Sequence, residues 1–522
     1  MAGRFKFIVL PADMNLRLLP FCAVAMLGLL VPGVALAQSA APAPARLNVL
    51  LILIDDHAAQ LHSAAGGNGR VKTPNLKRLA AQSTWFTHAY ADSPACCPSR
   101  TALLTGVNTT RSGVYYNSQA YRRASTWISE VQTLPATFLR AGYLTAGFGK
   151  IGHNKYLEDD ARDYTSGNYR WFDNPKHVRH TENDLLKFAL PDSVTKMWSA
   201  AWTWGVLPDD WDRDDPAKFQ QDTEQAVRAA EMLRQSHDKP FFLACGFWRP
   251  HLTWNVPKRF FDQYPLEKIE LPEGFRADDL ADVPAVARWL ATHRGEHEWI
   301  VQRDLWKKCL QGYYAAISYA DEQVGRVLDA LEAGPNRENT IVVFAADNGW
   351  HTGEKEHWTK FYLSELACRV VFSVSVPGSK PRVVTTPVGL IDIFPTLVSL
   401  CQLSAPATHV LDGIDLSGVI RGTANQRGKP VLSTFGLGCQ SLRSDRYRYN
   451  RYRNGAEELY DHATDPHEFR NVAAEPAYAT ALSTMRKSLP AIEAPEVVFA
   501  SAAEKASDIN RWDDSVFDDA KR

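Results

Sequence analysis

The sequence predicts an α/β fold: a large, mostly parallel β-sheet sandwiched by helices, followed by a small C-terminal antiparallel α+β domain. Three observations carry this expectation. Short continuous apolar runs rich in branched residues recur up to about residue 428, as expected of strands covered on both faces. Stretches with helical period separate them, the alternation that gives parallel strands with helical crossovers. From Lys429 the pattern changes to shorter alternating segments and a final polar helical stretch.

Taken in order, Met14 to Ala37 has a basic Arg17, an apolar run and Ala35-Leu36-Ala37 before Gln38. This is the layout of a secretory signal peptide, so residues 1–37 are expected to be removed, with translation beginning at Met14. Pro20, Pro32 and Gly33 interrupt the run and argue against a permanent membrane span. Residues 38–46, rich in Ala and Pro, read as a flexible leader.

The large domain, 47–428, opens with Val49–Ile54, a strand ending in Asp55-Asp56. Further strands are expected at Thr145–Phe148, Phe241–Phe247 and Ile341–Ala346, and helices at Pro74–Gln82, Leu134–Ala141 and Tyr314–Leu331. A stretch from about 157 to 234, dense in Trp and Asp, keeps no strand period and reads as a long insertion. In the small domain, 429–522, Val431–Phe435, Tyr447–Tyr452 and Leu459-Tyr460-Asp461 read as strands. No repeat is visible.

Composition narrows the function. With 58 basic and 59 acidic residues the formal charge is -1, so no global field favours nucleic acid or an anionic membrane. No window beyond the signal segment is long and apolar enough to span a bilayer, so the mature protein is expected to be soluble and either periplasmic or secreted, without stable membrane insertion. Of eight cysteines, Cys22 lies in the signal segment, and the other seven are thinly spread and lack the repeated CxxC spacing of a zinc site. An exported chain can pair some of Cys245, Cys309, Cys368, Cys401 and Cys439, but the spacing assigns no partners.

In a parallel sheet, ligands bind beyond the carboxyl ends of the strands, so the residues following each strand are the candidates. The most specific segment is Cys96-Cys97-Pro98-Ser99-Arg100, followed by Thr105-Gly106. Pro98 suits the first helical position, which places Cys96 at a helix N-terminus, where free N–H groups and the dipole favour an anion. The bland readings are a buried structural cysteine or a vicinal Cys96–Cys97 disulfide.

The Cys-x-Pro-Ser-Arg segment with its Thr-Gly resembles the signature of the formylglycine-dependent sulfatases of the alkaline phosphatase superfamily. The resemblance runs along nearly the whole mature chain and is strongest to the iduronate-2-sulfatase branch and its bacterial relatives. It implies an alkaline-phosphatase-like fold with catalysis in 47–428, and a maturation enzyme that oxidises Cys96 to formylglycine. Asp55, Asp56, Asp347 and Asn348 match the metal-binding segments, with residue 96 completing the coordination shell. Such oxygen donors suit Ca²⁺, or Mg²⁺, better than zinc. Lys150 and His153 after one strand, His251 after another, and Lys360 match basic positions of the family.

By resemblance, one hydroxyl of hydrated formylglycine attacks sulfur, Arg100 holds that nucleophile, and Lys150 and Lys360 stabilise the transferring sulfuryl group. His251 or Lys360 protonates the leaving oxygen, and His153 assists expulsion of sulfate. Lys150, His251, Lys360 and Trp350 are the expected substrate contacts, and the substrate is expected to be a small-molecule or oligosaccharide sulfate ester, with a sulfated sugar first. Departures from the branch exist: Ala58–Gly67 has no close match, and Asp347-Asn348 stands where the nearest relatives have Asp-His, which weakens any assignment to iduronate. A phosphonate monoester or phosphodiester hydrolase of the same superfamily is the alternative, and a catalytically dead glycan-binding protein a third reading. Ser318–Gly325, Glu458–Asp461 and Asp465–Glu468 also match the branch and read as structural.

Overall fold

Asn48–Ile54 has seven consecutive apolar or pairing residues and all seven are buried, which only the centre of a sheet covered on both faces can satisfy. This strand is β1 in the computed structural model, which describes residues 46–63, 67–124, 126–153, 163–165, 204–211, 213, 218–424 and 427–497. The signal segment, the leader up to residue 45 and most of 157–203 lie outside the described residues, so the readings made there find no counterpart.

The remaining strands are β2 (Thr84–Tyr90), β3 (Leu144–Gly149), β4 (Trp204–Leu207), β5 (Phe241–Gly246), β6 (Trp254–Pro257), β7 (Thr340–Ala346), β8 (His351–Thr352) and β9 (Trp358–Thr359). They continue with β10 (Arg369–Ser375), β11 (Arg382–Val384), β12 (Val388–Gly389), β13 (Val431–Thr434), β14 (Gln440–Arg443), β15 (Tyr447–Arg451) and β16 (Glu457–Asp461). The main sheet has the order β11-β2-β10-β7-β1-β5-β3, with β12 also on β2. Its pairings are parallel except for β10, which runs antiparallel to both β2 and β7. The expected architecture is therefore present, a mostly parallel sheet between helices, with a four-stranded antiparallel sheet β13-β14-β15-β16 at the C-terminus.

Several strands were not legible, β2 and β10 the longest of them. β2 carries Thr87 and His88, and β10 carries Arg369, Ser373 and Ser375, so neither shows an unbroken apolar run. Two boundaries also move. The helix expected at Tyr314–Leu331 runs from Trp306 to Ala333. The stretch assigned to an insertion up to 234 contains β4, paired with β6, and a helix, Gln221–Leu233, that packs against β3, β5 and the helix Trp306–Ala333. Six of its eight buried residues are polar or alanine, Asp222, Thr223, Gln225, Ala226, Ala229 and Ala230, which give little apolar signal.

The small domain has its own core of Leu442, Tyr449, Leu459, Leu482 and Met485. It grips the main body through polar contacts: Asn450 Nδ2 donates to the Leu363 carbonyl at 2.7 Å, and Arg443 and Arg448 both pair with Glu365. Residues 494–497 leave that domain and return to the main body, where the Val497 N–H donates to the Gly113 carbonyl at 2.9 Å. The seven cysteines from Cys96 on are all buried and free, so no pair forms among Cys245, Cys309, Cys368, Cys401 and Cys439, nor between Cys96 and Cys97. Among the described residues no helix is long and apolar enough to cross a membrane.

Candidate active site

Strand register brings the site together. Ile54 of β1 lies level with Ala346 of β7, so the chain leaves both strands at one height and delivers Asp55-Asp56 beside Asp347-Asn348. Leu53 is level with Gly246 of β5, and Gly246 with Gly149 of β3, which sets Lys150 on the same edge. Gly149 has φ +76°, and a Cβ there would meet the Gly246 carbonyl oxygen at 2.0 Å, so only glycine permits this approach.

Opposite the strand ends stands helix α1, Cys96–Thr105, all ten residues of which are buried. It begins at Cys96, two residues earlier than expected, and leaves Pro98 in third position. Proline is tolerated there because the N–H groups of a first turn have no intrahelical partner. Ala95 precedes the helix without a side-chain cap; instead Asn117 Oδ1 accepts from the Cys97 N–H at 2.9 Å and the Ala95 carbonyl from the Ser99 N–H at 3.1 Å.

Five carboxylate, thiol and amide groups crowd the centre. Cys96 Sγ lies 3.3 Å from Asp55 Oδ1 and 3.9 Å from Asp56 Oδ1, and ligand atoms of Asp55, Asp56, Cys96 and Asp347 all fall within 4.8 Å of one another. Asn348 Nδ2 donates to Asp56 Oδ1 at 2.8 Å. Asp56 adopts a left-handed φ of 57°, held by Tyr313, whose hydroxyl donates to the Asp56 carbonyl at 2.7 Å. Such a backbone persists only where the surroundings over-determine it.

Cations face these carboxylates. Lys150 pairs with Asp55, and Lys360 pairs with Asp56 and lies 2.6 Å from Cys96 Sγ. Arg100 Nε donates to Asp347 Oδ2 at 2.7 Å, its Nη1 donates to the carbonyls of Lys150 and Ile151, and its Nη2 lies 3.7 Å from Asp55 Oδ1. Arg100 thus ties α1, the end of β1, the end of β7 and the loop after β3 into one unit. Ser99 adds a donor to the Asp347 carbonyl at 2.5 Å. His251 Nε2 stands 3.6 Å from Asp56 Oδ2.

These surroundings set the protonation states. Burial works to raise the Asp55 carboxyl, yet Lys150, helped by His251 and Lys360 against Asp56, holds it below the usual carboxylate range. Burial, with Asp347 and Asp55 beside it, pushes the Cys96 thiol well up despite Lys150 and Lys360, so the unmodified thiol is a poor nucleophile. Burial lowers His153, and the neighbouring charges of Lys150, Lys360 and Arg100 lower it further, leaving a neutral ring. Burial also lowers His251, against the pull of Asp56 and Asp55.

Cys96, Arg100, Lys150, His153, His251, Lys360, Asp55, Asp56, Asp347 and Asn348 therefore meet in one cluster at the strand ends. Trp350 does not. It is 1% exposed, stacked on Tyr313 with centroids 5.6 Å apart and edge-on to Trp254, so the expectation that it lines the substrate pocket is corrected. Adjacency in sequence to Asp347-Asn348 said nothing of which way the ring points. Trp248, Tyr313 and Ser99 are the residues that sequence reasoning passed over. Ser99 lay inside the signature, and only the other two gave no local signal.

The donor set suits a hard divalent cation. Asp56 Oδ2 and Asn348 Oδ1 are buried and accept no hydrogen bond, so both oxygens fit as ligands of such a cation beside the Asp55 and Asp347 carboxylates.

A family model described as Sulfatase matches residues 47–403. The chain belongs to the sulfatase family. This sulfatase is 32% identical over 451 residues to a sulfatase of Formosa agariphila, covering 85% of this chain and 86% of the relative. It is 33% identical over 356 residues to the iduronate 2-sulfatase of Mus musculus, covering 64% of this chain and 60% of that relative. Among solved structures, the phosphonate monoester hydrolase of Agrobacterium radiobacter superposes with a TM-score of 0.67, covering 85% of this chain and 94% of that one, at 21% identity, a likeness of fold. As a sulfatase, the protein is a sulfuric ester hydrolase.

Proposed function

We propose that this sulfatase is an exported enzyme that cleaves a sulfate ester from a sulfated sugar, small or oligosaccharide, with residue 96 carried as formylglycine and a divalent cation, Ca²⁺ or Mg²⁺, held by Asp55, Asp56, Asp347 and Asn348. The observation that carries the reading is the position of Cys96 Sγ, 3.3 Å from Asp55 Oδ1 and 2.6 Å from the Lys360 ammonium. A nucleophile there stands between the cation-binding oxygens and the groups that would receive a tetrahedral oxyanion. When present, the two groups would supply a hydroxyl nucleophile and a Lewis acid for one sulfate oxygen.

The chain's own residues do the rest. Arg100, fixed by Asp347 and two carbonyls, aims its remaining Nη2 at the nucleophile side of the cavity. Lys150 and Lys360 stabilise charge on the transferring sulfuryl group, as positioned cations do wherever charge develops in a dry site. His251, 23% exposed at the rim, or Lys360 protonates the departing oxygen, and the neutral His153 accepts a proton as sulfate is released. A sugar substrate is favoured by the likeness to iduronate 2-sulfatase. Export rests on the signal-like first segment, and the modification of Cys96 requires a maturation enzyme as a transient partner.

The competing reading is a phosphonate monoester or phosphodiester hydrolase, since that chemistry uses the same fold. Side-by-side turnover of 4-nitrophenyl sulfate and 4-nitrophenyl phenylphosphonate separates the two. Faster sulfate cleavage, followed by desulfation in a panel of sulfated mono- and oligosaccharides, supports the proposal, and a strong preference for phosphorus overturns it. Absence of both activities together with unconverted Cys96 would leave the inactive glycan-binding reading in its place.

A further inference from the structure

Trp248 follows the end of β5 and belongs to none of the groups assigned above. Its ring is in contact with two of them at once. The Lys150 ammonium lies 4.1 Å from the ring centroid, within cation–π range, and the His251 ring lies 4.3 Å away at 44°. A third contact locks the arrangement: the Leu252 carbonyl accepts from Trp248 Nε1 at 2.9 Å and from His251 Nδ1 at 2.6 Å. One carbonyl oxygen has two lone pairs, and here one indole and one imidazole take one each. Because a carbonyl cannot donate, His251 must carry a proton on Nδ1, which leaves its Nε2 facing Asp56, where it has to take up a second proton before it can give one to the leaving oxygen. The backbone beneath is anchored as well, since buried Asp222 accepts from the N–H groups of Trp248 at 2.7 Å and Arg249 at 2.8 Å.

We infer that Trp248 is a positioning residue that sets Lys150 for the sulfuryl group and His251 for the leaving oxygen through one indole ring. The inference rests on the roles given above to Lys150 and His251. Replacing the ring by an aliphatic chain releases both groups, whereas phenylalanine keeps a π-face for Lys150 but lacks the N–H that shares the Leu252 carbonyl with His251.

The test uses two aryl sulfates on the mature full-length enzyme: 4-nitrophenyl sulfate, whose leaving group needs little protonation, and phenyl sulfate, whose leaving group needs it. For Trp248→Leu the kcat on 4-nitrophenyl sulfate should fall about 10- to 30-fold, the size of a desolvated cation–π contact, and further on phenyl sulfate. Trp248→Phe should recover most of the 4-nitrophenyl sulfate rate and keep a roughly tenfold deficit on phenyl sulfate, the cost of one positioned hydrogen bond. KM should change little in both. Rates within about twofold of wild type for Trp248→Leu, or equal losses on the two substrates with no recovery by Phe, overturn the inference. If the Leu variant fails to fold, the Phe variant decides alone, because equal losses on its two substrates refute the link to His251. Lys150→Ala and His251→Ala are the controls for the underlying reading. If neither slows turnover, the roles of those two residues fail and the inference for Trp248 falls with them, whereas slow controls beside an unaffected Trp248→Leu overturn the inference alone.

Discussion

Replacing Lys360 by methionine tests whether the buried charges hold one another in place. The substitution keeps most of the volume and removes only the ammonium that pairs with Asp56 and touches Cys96 Sγ. Asp56 is 0% exposed, and the side-chain partners left to its carboxylate are Asn348 Nδ2 at 2.8 Å, His251 Nε2 at 3.6 Å and, more distantly, Cys96 Sγ at 3.9 Å. Stranding a buried charge in this way costs about 3 to 5 kcal/mol, and the surviving amide donor puts the expected loss near the lower end. Adding Asp56→Asn removes the stranded charge, so the double variant should regain about 2 kcal/mol relative to the single one. Activity should behave differently. A cation about 4 Å from developing charge at an effective dielectric near 20 is worth about 4 kcal/mol, or roughly a thousandfold in kcat, and the second substitution cannot restore it. Urea unfolding in chelator gives the stabilities, and steady-state hydrolysis of 4-nitrophenyl sulfate gives the rates. The reasoning is refuted if Lys360→Met keeps more than a tenth of the wild-type kcat, or if the double variant is no more stable than the single.

Other outcomes follow from the same geometry. Cys96→Ser keeps a small polar group beside Asp55 and Lys360, so it should fold normally yet lose repeated turnover, because a serine has one hydroxyl where expulsion of sulfate needs two; normal multiple turnover would rule out the proposed chemistry. In the wild-type protein the peptide carrying residue 96 should weigh about 18 Da less than the cysteine form, read by mass spectrometry. Chelator should lower the unfolding midpoint, and Ca²⁺ at about 100 times its Kd should return about 2.7 kcal/mol, while Asp347→Ala should abolish the response. For pH, burial pushes Asp92 up to about 7 despite two donors from Thr109. The folded state then keeps a proton that the unfolded chain loses near its usual value, so this group's contribution is greatest below about pH 4 and declines up to about pH 7. Between about pH 5 and pH 8 the decline is on the order of 3 kcal/mol, and Asp92→Asn should remove it from the urea-derived stability profile.

What could be read in advance was whatever lies at the end of an apolar strand. β1, β5 and β7 are nearly continuous apolar runs and β3 a shorter one, and the polar residues directly after three of them, Asp55-Asp56, Lys150 and Asp347-Asn348, meet because parallel register leaves them level, with His251 five residues past the end of β5. Lys360 obeys no such rule. It sits after β9 in a segment where Lys355, Glu356, Thr359 and Phe361 all have positive φ, and no periodicity forecasts that path. The ring nitrogens of buried His357 lie 2.8 Å from the Ala291 carbonyl and 2.6 Å from that of Lys360, so the lysine's place depends on a helix far off in sequence. The strands β2 and β10 escaped because polar residues interrupt them, and the helix Gln221–Leu233 because alanine buries a face without announcing it. Trp350 and Trp248 make the sharper contrast. Both follow a strand end by a few residues, yet one is packed among aromatics and the other holds two site groups, a difference fixed by backbone direction alone.

The charge count of the cavity gives a reason for its mixed composition. Asp55, Asp56 and Asp347 face Arg100, Lys150 and Lys360, so these six groups balance to zero and the buried set is tolerable without any ligand. A divalent cation among the carboxylate oxygens would shift that balance to net positive in a space with little water, a state that an incoming oxyanion relieves. Carboxylates alone would hold a metal but repel a sulfate ester, and lysines alone would hold the ester but offer no cation site. Interleaving them makes each binding event favour the other. It follows that Ca²⁺ and inorganic sulfate should bind with positive coupling: calorimetric titration of sulfate should give a tighter Kd in the presence of Ca²⁺ than in chelator, by about 5- to 150-fold, the usual span of a coupling between two sites. Equal affinities in the two conditions would mean that the lysines, paired with Asp55 and Asp56, are not released toward the anion when the cation takes those carboxylates, and the division of labour argued here would fall.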